Sequence, residues 1–238
     1  ADRAGFATME EDMKTVFMFS GQGAQYAGMG KDLYKNYPVA KEIFDRADNV
    51  LGYSIKDICF EDEQKLGETE FAQPAILTMS IAAMKVLEEE GVRADMTAGL
   101  SLGEYSAYVA SEAMDFEEAV ALVQKRGKFM AEAVPSGEGA MYAIIGLDTA
   151  LVEEACAEAT AEGDGLAVPA NYNAPGQIVI AGHAQAAKRA AALAKEKGAK
   201  LTVPLKVSGP FHTELLQPAA EKLGPELDKM HISPMKMP

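Results

Sequence analysis

The sequence predicts an α/β fold in which a larger parallel-sheet body is interrupted by a smaller βαββαβ subdomain. Three observations carry that expectation. Residues 15–20 (TVFMFS) are nearly all apolar and end on Gly21-Gln22-Gly23, as a strand buried on both faces does where it meets a tight turn. Residues 96–100 read as a second short strand and pass through Ser101-Leu102-Gly103 directly into helix-forming residues, the strand-to-helix step of a parallel sheet. Residues 137–206 then change to strand, helix, two strands, helix, strand, the order of a ferredoxin-like unit.

Spacing justifies the remaining elements. Val39, Ile43, Phe44, Ala47, Val50 and Leu51 recur at helical intervals over 39–51, and 75–90 continues as a second, largely buried helix. Residues 104–112 have the composition of a helix, and 116–134 form a longer amphipathic one that Pro135 and Gly137 end. Inside the subdomain, strands are expected at 140–147, 166–173, 177–181 and 200–205, and helices at 149–161 and 184–197. An amphipathic helix covers 214–230. The body is thus assigned to 13–136 and 207–238, and the subdomain to 137–206. Because the chain stops on SPMKMP soon after that helix, a further C-terminal segment is expected to be missing.

Length and composition exclude several classes. At 238 residues and 25.3 kDa, with 48% hydrophobic and 24% charged residues, the chain has enough apolar surface to bury a core and is not a disordered or fibrous sequence. A net charge of -14 opposes broad binding to phosphate backbones or anionic membranes, so neither nucleic acid nor membrane is expected as a partner. One stretch is locally basic: Lys188, Arg189, Lys195, Lys197, Lys200 and Lys206 stand against the single acid Glu196. Cys59 and Cys156 form no metal-ligand pattern with the histidines and suggest a reducing compartment, hence the cytoplasm. The longest apolar-looking stretch, 71–84, is too short and too polar to span a bilayer. The mixed, charged start carries no secretory signal, and Met9 or Met13 is read as the natural first residue.

Gly99-Leu100-Ser101-Leu102-Gly103 fits the G-x-S-x-G nucleophile elbow of hydrolase-like sheets, with a strand before it and a helix after it. A serine at the apex of such a strained turn needs neighbours without Cβ. Its hydroxyl also needs a base, and the sequence offers only His183, His212 and His231. His183 at a helix start and His231 in the tail read as surface residues. His212 follows a strand, a Gly-Pro turn and Phe211, where a loop would carry it over the sheet edge. The amides of the Gly21-Gln22-Gly23 turn, together with that of Leu102, would suit an oxyanion. Taken alone, Arg126 reads as a solvated charge in the cluster with Lys125 and Lys128.

Six stretches, FMFSGQGAQYAGMG, FAQPAIL, GLSLGEYSAY, KRGKFMAEAVPSGEGAMYAIIGL, NYNAPGQIVIAG and GPFH, occur in the order and at about the spacing found in malonyl-CoA:acyl carrier protein transacylases. The sequence resembles that family from Thr15 onward. The resemblance implies Ser101 as the acylated nucleophile, His212 as its base, and the backbone N–H groups of Gln22 and Leu102 as oxyanion donors. It also implies Arg126 as the partner of the malonate carboxylate, Phe211 as the residue that limits room beside the malonyl α-carbon, and Met130 and Asn173 as further pocket positions. Malonyl-CoA would be the substrate with no permanently bound cofactor, and acyl carrier protein the partner of a monomer. The strip Lys188, Arg189, Lys195, Lys197 and Lys200 would steer that acidic partner.

Two departures stand out. Leu100 replaces the histidine that most relatives carry before the nucleophile. The family also supports its catalytic histidine with a carbonyl some 50 residues beyond it, whereas 26 residues follow His212 here. Two alternatives stay open at this point: a serine esterase using the same elbow, and a truncated, inactive acyltransferase fragment that only binds.

Overall fold

The computed structural model describes residues 13–135, 137–207 and 209–238; the reading of Met9 as a start lies outside them. Strand β1 (Val16–Phe19) leads into the glycine turn and a run of helices: α1 (Lys31–Asn36), α2 (Pro38–Leu51), α3 (Ile55–Glu61), α4 (Glu63–Leu66) and the long α5 (Thr69–Glu89). Strand β2 (Met96–Gly99) pairs parallel to β1, with Val16 opposite Met96 and Phe19 opposite Gly99. Helices α6 (Gly103–Ala110) and α7 (Phe116–Ala133) follow. The next six elements are β3 (Gly139–Ile145), α8 (Thr149–Ala161), β4 (Ala167–Ala174), β5 (Gln177–His183), α9 (Ala184–Glu196) and β6 (Leu201–Pro204). Their strands form a four-stranded antiparallel sheet in the order β4-β5-β3-β6. A 3-10 turn over Glu214–Leu216 precedes α10 (Gln217–Leu227). The architecture is mixed α/β, with one parallel and one antiparallel sheet.

Local chemistry sets several boundaries. Pro38 begins α2 at a position where the missing N–H costs nothing. The Asp115 carboxylate accepts from the N–H groups of Glu117 and Glu118 at the start of α7, and Asp148 accepts from Ala150 at the start of α8, each satisfying donors that the first turn leaves orphaned. Helices α1, α3 and α4 have 6, 7 and 4 residues, too few for a periodic signal, and spacing gives no sign of them.

Two expectations need correction. Helix α5 starts at Thr69, six residues before the expected 75, and holds Pro74 inside it. A proline there denies the Glu70 carbonyl its helical donor and disfavours helical geometry at Gln73. Burial outweighs this: Ala72, Gln73, Pro74, Ala75, Ile76 and Leu77 are all buried. Strand β1 was expected to be covered on both faces, yet Met18 is 81% and Val16 44% exposed. Phe17 and Phe19 pack on the core while their alternating neighbours point outward, since the described helices cover one face of the β1–β2 pair.

The body core gathers Phe19, Phe44, Ile55, Leu77, Ile81, Leu102, Val120 and Val123. A second core lies between the antiparallel sheet and α8 and α9, around Ile144, Ile178, Ile180, Val152 and Ala190. The opposite face of that sheet presents Met141, Val179 and Ala181 to Phe211. The two faces of β5 therefore serve different neighbours, and the cavity described below lies on the side of Phe211.

Candidate active site

The elbow is built by contact between its two glycines. A Cβ at Gly99 would lie 2.1 Å from the Gly103 carbonyl carbon, and one at Gly103 would lie 2.1 Å from the Phe19 carbonyl oxygen. Only glycine fits at either position, so β2 can turn into α6 directly above β1. Ser101 takes the apex with φ 52°, a left-handed conformation that a non-glycine residue holds at a cost of about 1–3 kcal/mol.

One cavity of about 180 Å³ is lined by Ser101, His212, Arg126, Gln22, Leu102, Met130, Asn173 and Phe211. These eight come from the β1 turn, the elbow, α7, β4 and the loop before α10. Met141, Asn171 and Val179 complete the wall on the side of the antiparallel sheet. Among the described residues, the N–H groups of Gln22 and Leu102 have no backbone acceptor, which leaves both donors available on the cavity lining.

Arg126 is held on three sides. Its Nη1 donates to Gln73 Oε1 at 2.7 Å, its Nη2 donates to Ser101 Oγ at 3.1 Å, and its Cζ sits 5.5 Å from the centre of the Tyr105 ring. Burial lowers its pKa, opposed by Tyr105 and Glu104, but a guanidinium stays charged in proteins. Read alone as a solvated charge, Arg126 instead points inward from α7. Gln73 escaped the sequence reading because it lies in the helical turn that Pro74 disguised. Its signal was present in FAQPAIL, a glutamine among buried apolar residues.

His212 shares the cavity with Ser101, and no hydrogen bond joins the two among the described residues. Long or unformed contacts of this kind are common in unliganded catalytic sites. The imidazole has one side toward solvent and the other against the cavity. Burial on that inner side depresses its pKa below 6.5, the Arg126 charge depresses it further, and Glu104 pulls the other way. Protonation would disable a base, so activity is retained above the folded pKa and lost as pH falls through it. The acid limb of kcat/KM for self-acylation is therefore expected below pH 6.5, and Arg126→Met should move it upward. Transfer that His212→Ala leaves intact would contradict the assignment of the base.

No carboxylate completes a triad among the described residues. Asp115 and Asp148 cap helices, Asp164 lies in the bend after α8, and none lines the cavity. His183, expected on the surface, is half-buried, and its Nδ1 accepts from the Leu166 N–H at 2.9 Å. His231 lies exposed in the tail.

The basic strip also needs correction. Arg189 pairs with Glu162 at 2.7 Å, Lys197 with Glu154 at 3.1 Å and Glu158 at 2.9 Å, and Lys195 donates to the carbonyls of Ala199 and Lys200. Helix α8 carries those acids beside α9, which a linear count of charge misses. Lys188, Lys195, Lys200 and Lys206 remain exposed, with no acidic partner among the described residues.

Among the described residues, one cavity brings together a serine on a strained elbow, a histidine without a carboxylate partner and a fixed guanidinium, an arrangement that fits the class of serine acyltransferases. The chain belongs to the acyl transferase domain family, whose model matches residues 16–238. It is 51% identical over 226 residues to the malonyl CoA-acyl carrier protein transacylase of Bacillus subtilis, covering 94% of this chain and 71% of that protein. Among solved structures, the MCAT of Streptococcus pneumoniae superposes with a TM-score of 0.88 at 53% identity, over 94% of this chain and 73% of that one. A malonyl-transacylase in complex with its type II PKS acyl-carrier protein superposes at 0.91 with 42% identity, over 95% and 73%.

Proposed function

We infer that this protein transfers a malonyl group from malonyl-CoA to the phosphopantetheine thiol of acyl carrier protein through a malonyl-serine intermediate. The observation that carries the reading is the convergence of Ser101, His212 and Arg126 on one cavity, with Arg126 Nη2 3.1 Å from Ser101 Oγ. Oγ accepts that hydrogen bond, so its own proton remains free to leave.

In the first half-reaction, Ser101 Oγ attacks the thioester carbonyl while His212 takes its proton. The carbonyl oxygen becomes an oxyanion held by the N–H groups of Gln22 and Leu102, each donor worth about 3 kcal/mol. Collapse breaks the C–S bond, and the departing CoA sulfur takes the proton from His212. The guanidinium grips the free carboxylate with two parallel hydrogen bonds, a geometry that a planar fork supplies and an ammonium does not. In the second half-reaction the carrier thiol gives its proton to His212 and attacks the ester. Ser101 leaves and recovers the proton. These steps use side chains, the two backbone N–H donors and the two thiols, and call for no resident cofactor. Phe211, buried against Met141 and Val179, walls the space beside the acyl chain, with Met130 and Asn173 lining the rest.

The division into a hydrolase-like body over 13–136 and 207–238 and a ferredoxin-like insertion over 137–206 belongs to the same reading. The strand order and the second core around α8 and α9 support it. No described helix is long and apolar enough to cross a membrane, and the unpaired Cys59 and Cys156 support a cytoplasmic place. Carrier steering falls to the exposed Lys188 and Lys200.

Intact-mass measurement tests the proposal. Malonyl-CoA alone should add one malonyl group, mapped to the peptide holding Ser101, and holo acyl carrier protein should then remove it as malonyl-carrier. Rapid hydrolysis of neutral esters with no stable adduct would favour a serine esterase instead.

A further inference from the structure

The first turn of α5 touches both arms of the site. Thr69 Oγ1 accepts from Gln22 Nε2 at 3.0 Å, and Gln73, one helical turn further on, accepts from Arg126. Thr69 is 1% and Gln73 0% exposed. Neither can exchange its protein partner for water without moving, and an unsatisfied buried polar group is costly. Helix α7 presses on the same turn: a Cβ at Gly127 would lie 2.5 Å from the Thr69 carbonyl oxygen. Thr69 is thus a rigid point beside the cavity.

Gln22 sits between Gly21 and Gly23 in a loop, with Gly23 at φ 107° and its N–H held by Gln25 Oε1 at 2.7 Å; the Gln22 side chain is what ties that loop to α5. The same loop carries the N–H assigned to the oxyanion, and oxyanion donors work only when they are aimed before the charge develops.

We propose that Thr69 is a positioning residue for the acyl transfer: by anchoring the Gln22 side chain it aims the Gln22 backbone N–H at the oxyanion. This rests on the reading of Ser101 as the acylated nucleophile. Thr69 does not touch the reacting atoms, and it ties the oxyanion loop to the helix that also holds the guanidinium.

The test is steady-state and single-turnover malonyl transfer by the full chain. Thr69→Val keeps the shape and removes the acceptor. It is expected to lower kcat about 10-fold, less than outright loss of a donor, while KM for malonyl-CoA changes by no more than about 2-fold. Thr69→Ser should recover activity to within about 2-fold of wild type. Gln22→Leu keeps the backbone N–H and removes the tie from the other end, so it should show the same loss. In the double variant Thr69→Val/Gln22→Leu the two losses should not multiply. If Thr69→Val does not fold, Gln22→Leu decides alone. Wild-type kcat in either folded single variant, a change confined to KM, or losses that multiply would overturn the proposal. Wild-type protein that never takes malonyl on Ser101 would remove the reading beneath it, whereas acylation that proceeds equally in all variants would remove only the anchor.

Discussion

Replacing Ser101 by alanine is expected to abolish covalent labelling by malonyl-CoA and to lower transfer by about 10⁶-fold, the scale on which removing a serine nucleophile acts. The elbow should survive the change. Its shape comes from Gly99 and Gly103, where added Cβ atoms would lie 2.1 Å from backbone, and not from the hydroxyl. Alanine also tolerates the φ of 52° at position 101 no worse than serine does. Loss of labelling with an unchanged melting curve would therefore report chemistry, and a malonyl adduct persisting on the alanine variant would place the nucleophile elsewhere. Freed of Ser101 Oγ, Arg126 keeps its Gln73 partner, so binding of malonyl-CoA should change far less than turnover.

Arg126→Ala should produce the second largest effect, and a selective one. Two charge-assisted hydrogen bonds at about 1.5–3 kcal/mol each put the loss in kcat/KM for malonyl-CoA at roughly 10²–10⁴-fold. Acetyl-CoA has no carboxylate for the guanidinium to hold and should lose little; with the Nη2 contact to Ser101 Oγ gone, it gains a freer nucleophile. Arg126→Lys restores charge without the planar fork and should recover only part of the malonyl activity. Equal losses for the two thioesters would mean that Arg126 supports the cavity without selecting the acyl group. The preference is measured by competing malonyl-CoA and acetyl-CoA for one enzyme and reading the acyl group left on it.

How much of this was legible before folding differs by residue. Ser101 was readable because everything that makes it special is local: a strand, two glycines and a helix within a dozen positions. His212 stood out among three histidines by its place after a strand and a Gly-Pro turn, whereas Arg126 gained its role only from the resemblance. By residue type Arg126 was a surface charge, and what changes its meaning is an enclosure built by residues far away in the chain. Thr69 and Gln73 were missed because Pro74 marks a helix boundary in any local reading, while burial of α5 on the body core carries the helix through it. The strip on α9 was misread for the converse reason: a linear window sees Lys197 and Arg189, but not Glu154, Glu158 and Glu162 arriving beside them.

The sequence determined the type of each longer element, the elbow and the α/β class, because periodicity, capping and glycine sterics act over a few residues. Tertiary structure alone decided which charges are free, where α5 begins, and that one buried turn of it meets both the oxyanion loop and the guanidinium. Those outcomes depend on burial and on partners from distant segments, and a hydrogen bond between positions 22 and 69, or 73 and 126, has no counterpart in any local pattern.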